Sequence, residues 1–249
     1  MALLRGIYFW IVLVIMTIVS VGISALLQLG LMAASPLTRQ EWGHRAGFLW
    51  GRGTYRLMPF WSIKIEGEEN LPDNNQPMVM IANHQSASDI WVAYFLKAQF
   101  RWLSKKEIFH IPLIGPAMRW AGYIAIERGN ATSHRQAMEQ AAQVLRNGIS
   151  MFFFPEGTRT RDGKMQEFKL GAFRLAQDLH VPILPVVMSG TKDLVPKGSA
   201  FPGKADVHMK ILPAMRFKDF DPELKDLTGF ARHVRDIMEK EYDRMNITA

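Results

Sequence analysis

Cysteine is absent from all 249 residues. Its absence excludes disulfides, cysteine-ligated zinc and a thiol nucleophile, and leaves the compartment open. No serine sits in a Gly-x-Ser-x-Gly elbow, so the usual hydrolase nucleophile is missing as well. There is no internal repeat and no low-complexity tract. Formal charge is missing between Arg5 and Arg39. The run GIYFWIVLVIMTIVSVGISALLQLGLM is therefore apolar for longer than the ~20 residues a membrane-spanning helix needs. A signal peptide would have a shorter apolar core and a small-residue cleavage site, for which Ala33 to Ser35 is a poor match, so a retained membrane segment is expected. Ser20, Gly22, Ser24, Gln28 and Gly30 make its second half less apolar, compatible with one tilted span or with a pair of helices lying in one leaflet.

Arg39, Arg45, Arg52, Arg56 and Lys64 follow that run, which predicts that the bulk of the chain faces the cytoplasm. Hydrophobic residues make up 48% of the chain and charged ones 21%, enough apolar material for a packed core. The length suits one α/β domain with an appendage. A net charge of +7 points to an anionic partner: a phosphorylated substrate, an anionic membrane or nucleic acid. Nucleic acid fits poorly, because the aromatic-basic stretch from Arg39 to Trp61 directly follows the membrane segment. That stretch reads equally as a helix at the lipid headgroups or as an amphipathic helix facing the core.

From residue 77 onward apolar strand-like runs alternate with helical patterns. PMVMIAN precedes a helix expected from Ser88 to Lys97, and FRWLS and YIAIE follow. A helix from Ser133 to Arg146 has Ser133 as its expected N-cap and Gly148 at its end. ISMFFFPEG leads into FKLGAFRLAQDLH, then PILPVVM, then ADVHMKILP, with a last helix from Pro222 to Met245. DLVPKGSAFPGK reads as a loop near the sheet edge. Strand-helix alternation predicts an α/β fold with a largely parallel or mixed sheet flanked by helices. Residues 1–64 are expected to form a membrane-anchoring helical region and 65–249 the catalytic domain.

In such sheets ligands sit beyond the carboxyl ends of the strands, where the reactive residues crowd. His84 ends a strand, and Asp89 falls in the first turn of the next helix. That pair can serve as an oriented general base or, more simply, as a helix cap. With no protein nucleophile in sight, a base suggests direct transfer to a substrate hydroxyl. Glu156, Gly157, Thr158, Arg159 and Arg161 follow a buried strand, where glycine admits an oxyanion and arginine offers a forked contact. Lys105, Lys106 and Arg128 could join Arg159 in a cationic pocket for one phosphate. The other six histidines lack the strand-end setting, and no metal-type spacing links them.

These blocks carry a resemblance. NHQSASD is similar to the N-H-x-x-x-x-D signature of the glycerolipid acyltransferases, and FPEGTRTR to their F-P-E-G-T-R-S block. GYIAIER resembles a block that usually ends Ile-Asp-Arg, and VPILPVV an apolar proline block. All four stand in family order across about residues 65 to 190; Glu127 and Ala125 depart from the pattern. The resemblance, closest to the 1-acylglycerol-3-phosphate acyltransferases, implies their fold and a donor thioester, acyl-CoA or acyl carrier protein. It implies no other cofactor and no metal. It implies His84 as base oriented by Asp89, and Glu156, Gly157 and Arg159 holding the glycerol phosphate. Arg128 would assist, with Lys105 near the phosphate and Lys106 a less certain neighbour. Lysophospholipid and membrane phospholipid are the implied partners, at the cytoplasmic face of the inner membrane.

Overall fold

A computed structural model describes residues 2–71, 76–160 and 164–247. Among these residues seven strands form one sheet: β1 (Trp61–Glu66), β2 (Val79–Ala82), β3 (Phe100–Lys105), β4 (Ile124–Ile126), β5 (Ser150–Phe153), β6 (Ile183–Ser189) and β7 (Ala205–Ile211), in the order β1-β7-β6-β2-β5-β3-β4. From β6 to β4 neighbouring strands are parallel, whereas β7 runs antiparallel to β6 and carries β1 parallel to itself. Every residue of β2, β5 and β6 is buried, as strands covered on both faces require. β7 nearer the edge alternates buried with more exposed positions. The mixed α/β architecture is the one expected.

The helices are α1 (Ala2–Gly30), α2 (Pro36–Arg56), α3 (Asp89–Ala93), α4 (Ile114–Trp120), α5 (Ala131–Arg146), α6 (Gly171–Asp178), the single turns α7 (Thr191–Leu194) and α8 (Phe217–Phe220), and α9 (Leu227–Ile247). Alternate strand residues feed two cores. Met80, Phe152 and Leu184 pack with residues of α1, α2 and α3; Val79, Met151 and Ile183 pack with α5, α6 and α9.

The apolar N-terminal run is one helix, α1, long and apolar enough to cross a membrane. It does not stand away from the domain. Gly6, Phe9, Val12, Met16, Ser20, Ser24 and Gln28 form a buried stripe at helical spacing along its whole length. Phe9 meets Trp61 and Trp91 edge-on, the Trp50 indole donates to Thr17, and Arg39 reaches Gln28. The opposite face exposes Leu4, Ile11, Ile15, Ile18 and Leu26. α2 turns His44 and Tyr55 to the core, as the core-facing alternative expected, while Trp42 and Leu49 stay exposed.

Three expectations need correction. The boundary drawn between residues 64 and 65 falls inside β1, whose Trp61 shares one core with α1 and α2. α3 ends at Ala93 rather than Lys97, and the Arg52 guanidinium takes the Tyr94 and Leu96 carbonyls just beyond it. The N-cap of α5 is Asn130, whose side chain accepts the Ser133 amide; the Ser133 hydroxyl instead accepts the Glu127 amide.

Candidate active site

β2 launches the first half of the site. Asn83, buried just past the strand, donates through Nδ2 to the Met188 carbonyl and accepts the Met188 amide, both at 2.8 Å. These bonds pin the end of β2 to β6 and fix where His84 begins. His84 Nδ1 lies 2.7 Å from Asp89 Oδ2, and that oxygen also accepts the Gln85 and Ser86 amides at 2.8 and 2.9 Å. A carboxylate only accepts, so Nδ1 carries the proton and Nε2 presents its lone pair. Phe154 stacks on the imidazole with ring centroids 4.0 Å apart and planes 16° from parallel. The histidine side chain is 15% exposed and the aspartate 0%, so the ring reaches the surface while its orienting carboxylate does not.

β5 brings the second half one strand away, about 5 Å in backbone spacing. Here the Glu156 carboxylate turns inward. Its Oε1 accepts the His84 amide at 2.7 Å and its Oε2 the Gln166 amide at 3.0 Å. Burial pushes its pKa up, and the two amide bonds pull it partly back. The Thr160 amide donates to the His84 carbonyl at 2.9 Å, so the two loops are stitched together on both sides. Glu156 therefore braces the histidine loop through both of its oxygens.

Gly157 follows at φ 73°, a conformation that costs a side-chain-bearing residue ~1–2 kcal/mol. Thr158 is exposed, its hydroxyl 3.4 Å from Gln166 Oε1. Arg159 is exposed and has no hydrogen-bond or ion-pair partner among the described residues. Arg161 lies outside the described residues.

The remaining cations stand further along the same edge. Lys105 ends β3 and Arg128 follows β4, two and three strands from β2, or about 10 and 14 Å in backbone spacing. Lys105 pairs with Glu107 and Lys106 with Glu127, each at 3.0 Å. Among the described residues no hydrogen bond or ion pair joins Lys105 or Arg128 to the His84 loop. His84, Asp89, Glu156 and Gly157 are thus one welded unit; Lys105 and Arg128 flank it.

Sequence reasoning missed the closing wall. On α9, Tyr242 receives the Gln85 side-chain amide, Asn246 bonds Ser189 at 2.6 Å, and Arg235 holds the Met165 and Gln166 carbonyls at 3.2 Å. Asn83, Gln85, Glu156 and Tyr242 line a small cleft there. No motif marks Arg235, Tyr242 or Asn246 in the sequence. His44 is remote and structural: it is fully buried among Phe48, Tyr94, Phe100 and Tyr123, with Nδ1 2.8 Å from the Tyr123 hydroxyl. Burial, and then Arg101, holds its pKa well below the imidazole range.

The site thus joins a histidine–aspartate pair at the carboxyl edge of a covered sheet to a basic turn one strand away. The Acyltransferase family model matches residues 62–189, just over half of the chain, and the chain belongs to that family. Within it, the chain is 37% identical over 203 residues to the chloroplastic 1-acyl-sn-glycerol-3-phosphate acyltransferase LPAT1 of Arabidopsis thaliana, covering 79% of this chain and 54% of that protein. It is 32% identical to the human 1-acyl-sn-glycerol-3-phosphate acyltransferase alpha over 71% of this chain and 62% of the relative. The chain thus spans about half to two thirds of the length of these curated relatives. Its fold is that of the crystal structure of the 1-acyl-sn-glycerophosphate (LPA) acyltransferase PlsC from Thermotoga maritima, with a TM-score of 0.81 and 26% identity over 98% of this chain and 96% of that one.

Proposed function

We propose that the protein transfers an acyl chain from acyl-CoA or acyl carrier protein to the sn-2 hydroxyl of 1-acylglycerol-3-phosphate, giving phosphatidic acid. His84 Nε2 takes the hydroxyl proton as the oxygen attacks the thioester carbonyl carbon. The tetrahedral intermediate collapses, the carbon–sulfur bond breaks, and His84 returns the proton to the departing thiolate. Asp89 holds the imidazole in the tautomer this needs, and Glu156 holds the backbone from which His84 projects. The observation that carries the reading is the 2.7 Å His84–Asp89 contact, one strand from a glycine turn whose arginine has no partner among the described residues. In this scheme Arg159 takes the acceptor's phosphate, with Arg128 and Lys105 assisting.

Acceptor and product both reside in a bilayer, which suits the exposed apolar face of α1. A helix packed along its whole length on its own domain supports an anchor lying in one leaflet of the inner membrane, with the site at its cytoplasmic face. The test is a panel of lysolipids and acyl donors incubated with the purified chain and read by mass spectrometry. Acylation of the phosphorylated glycerolipid above all others supports the reading. Preference for a lysolipid with a larger head group, or hydrolysis of the donor without acceptor, refutes it.

A further inference from the structure

Gly157 has a neighbour that the blocks of the sequence did not point to. The Lys169 amide donates to the Pro155 carbonyl at 2.9 Å, which fixes this residue beside the turn that follows β5. Its side chain then lies across Gly157. A Cβ placed on that glycine would stand 3.2 Å from Lys169 Cδ, 2.9 Å from Cε and 2.5 Å from Nζ. The absence of a side chain at residue 157 is what leaves room for the ammonium group.

This ammonium has no hydrogen bond and no ion pair among the described residues. The adjacent Glu156 carboxylate accepts the His84 and Gln166 amides and makes no ion pair with it among the described residues. Glu167, two residues upstream, lies 4.0 Å from Arg235 instead. Lys169 is exposed, and its aliphatic stem lies against the turn, so the ammonium stands at the surface beside Gly157. Arg159 on the same turn is also without a partner, and the Thr158 and Arg159 amides find none among the described residues. Two cations and two main-chain N–H groups around a left-handed glycine suit a phosphate monoester.

We propose that Lys169 is a second cation of the acceptor-phosphate subsite, acting with Arg159, which follows Gly157 in the same turn. The proposal rests on the acyl-transfer reading and deepens it. Arg159 supplies the forked contact and Lys169 a compact, adjustable point charge. The two sit one strand from His84, so the phosphate they hold keeps the acceptor's free hydroxyl within reach of the base.

A lysine that only propped the turn would act through its aliphatic stem. Lys169→Met keeps that stem and removes the charge; Lys169→Arg keeps the charge. The full-length protein in mixed micelles is assayed with 1-acylglycerol-3-phosphate at saturating donor, and with the donor varied. Lys169→Met is expected to raise KM for the acceptor roughly tenfold or more, with donor KM and kcat close to wild type and largely restored by Lys169→Arg. Competitive inhibition by inorganic phosphate should weaken in parallel, and Lys169→Gln should behave as Lys169→Met does. Wild-type acceptor KM in a folded Lys169→Met protein would overturn the proposal. So would a raised donor KM, or a fall in kcat and melting temperature that Lys169→Arg does not repair. Failure of the wild type to acylate any phosphorylated acceptor would sink the functional reading itself, an outcome visible before any variant is compared.

Discussion

Glu156→Gln separates two roles for one carboxylate. As a brace, Glu156 accepts the His84 and Gln166 amides, one on each oxygen. Glutamine keeps one accepting oxygen and turns an NH₂ toward the other amide, so one bond becomes a clash of donors. Leaving a buried donor unsatisfied costs ~1–3 kcal/mol, more where the lost acceptor was charged. Part of that returns, because the native carboxylate is penalised by burial, the cause that pushes its pKa up. The net loss should fall on the alignment of His84, lowering kcat roughly ten- to a hundredfold while acceptor KM changes little. The pH dependence has a definite sign. A carboxyl whose pKa is raised on folding binds its proton more tightly in the native state, so its contribution is full below the unfolded value and lost as pH rises through the folded one. Relative to Glu156→Gln, the wild type should therefore gain stability as pH falls toward the carboxylate range. Steady-state kinetics with both substrates varied, with melting curves between pH 4 and 7, measure both effects. A raised acceptor KM with intact kcat would show that the carboxylate meets the acceptor and would refute the brace.

Other expectations follow from contacts already described. Arg159→Lys keeps charge but loses the fork, so acceptor KM should rise and kcat/KM fall roughly ten- to a hundredfold; a raised donor KM would assign Arg159 to the carrier instead. Arg128→Ala should act in the same direction, and the double variant should be non-additive if both side chains touch one phosphate. Phe9→Ala removes a ring 1% exposed between Trp61 and Trp91 and should destabilise the whole protein by ~3–5 kcal/mol, read from detergent melting. An unchanged melting temperature would show that α1 is a detachable anchor. His44 is buried neutral, so its contribution is full above the unfolded pKa of 6.5 and lost as pH falls below it. Wild type should lose ~1.4 kcal/mol per pH unit there more steeply than His44→Gln; parallel curves would refute it.

The parts of this fold that were legible were those whose signal is local. β2, β5 and β6 are uninterrupted apolar runs because both faces are covered, and His84 and Asp89 are close enough in sequence for one loop to join them. β1 was not recognised, although Trp61, Ile63 and Ile65 alternate, because the aromatic-basic stretch ran into it. The reversed direction of β7 is set by its connection and leaves no trace in composition. On α1 the decisive residues were visible but their meaning was not. Ser20, Ser24 and Gln28 soften the hydropathy, and their four-residue spacing places them on the packed stripe with Phe9 and Met16. Glu156 and Lys169 illustrate the remaining limit. A carboxylate among basic residues gives no sign in sequence that its oxygens accept two loop amides, and a lysine 12 positions from Gly157 gives no sign that it returns to cover it. Only tertiary structure sets those side-chain directions.

Turnover of His84→Ala bears most directly on the central claim. Phe154 and Trp102 still fill the core behind the missing ring, and Asp89 keeps its two backbone amides, so the variant should fold with a wild-type spectrum. With 1-acylglycerol-3-phosphate and a thioester donor, both saturating, its turnover should fall at least ~100-fold, the scale of a lost general base. Near-normal turnover in a well-folded His84→Ala protein would contradict the account.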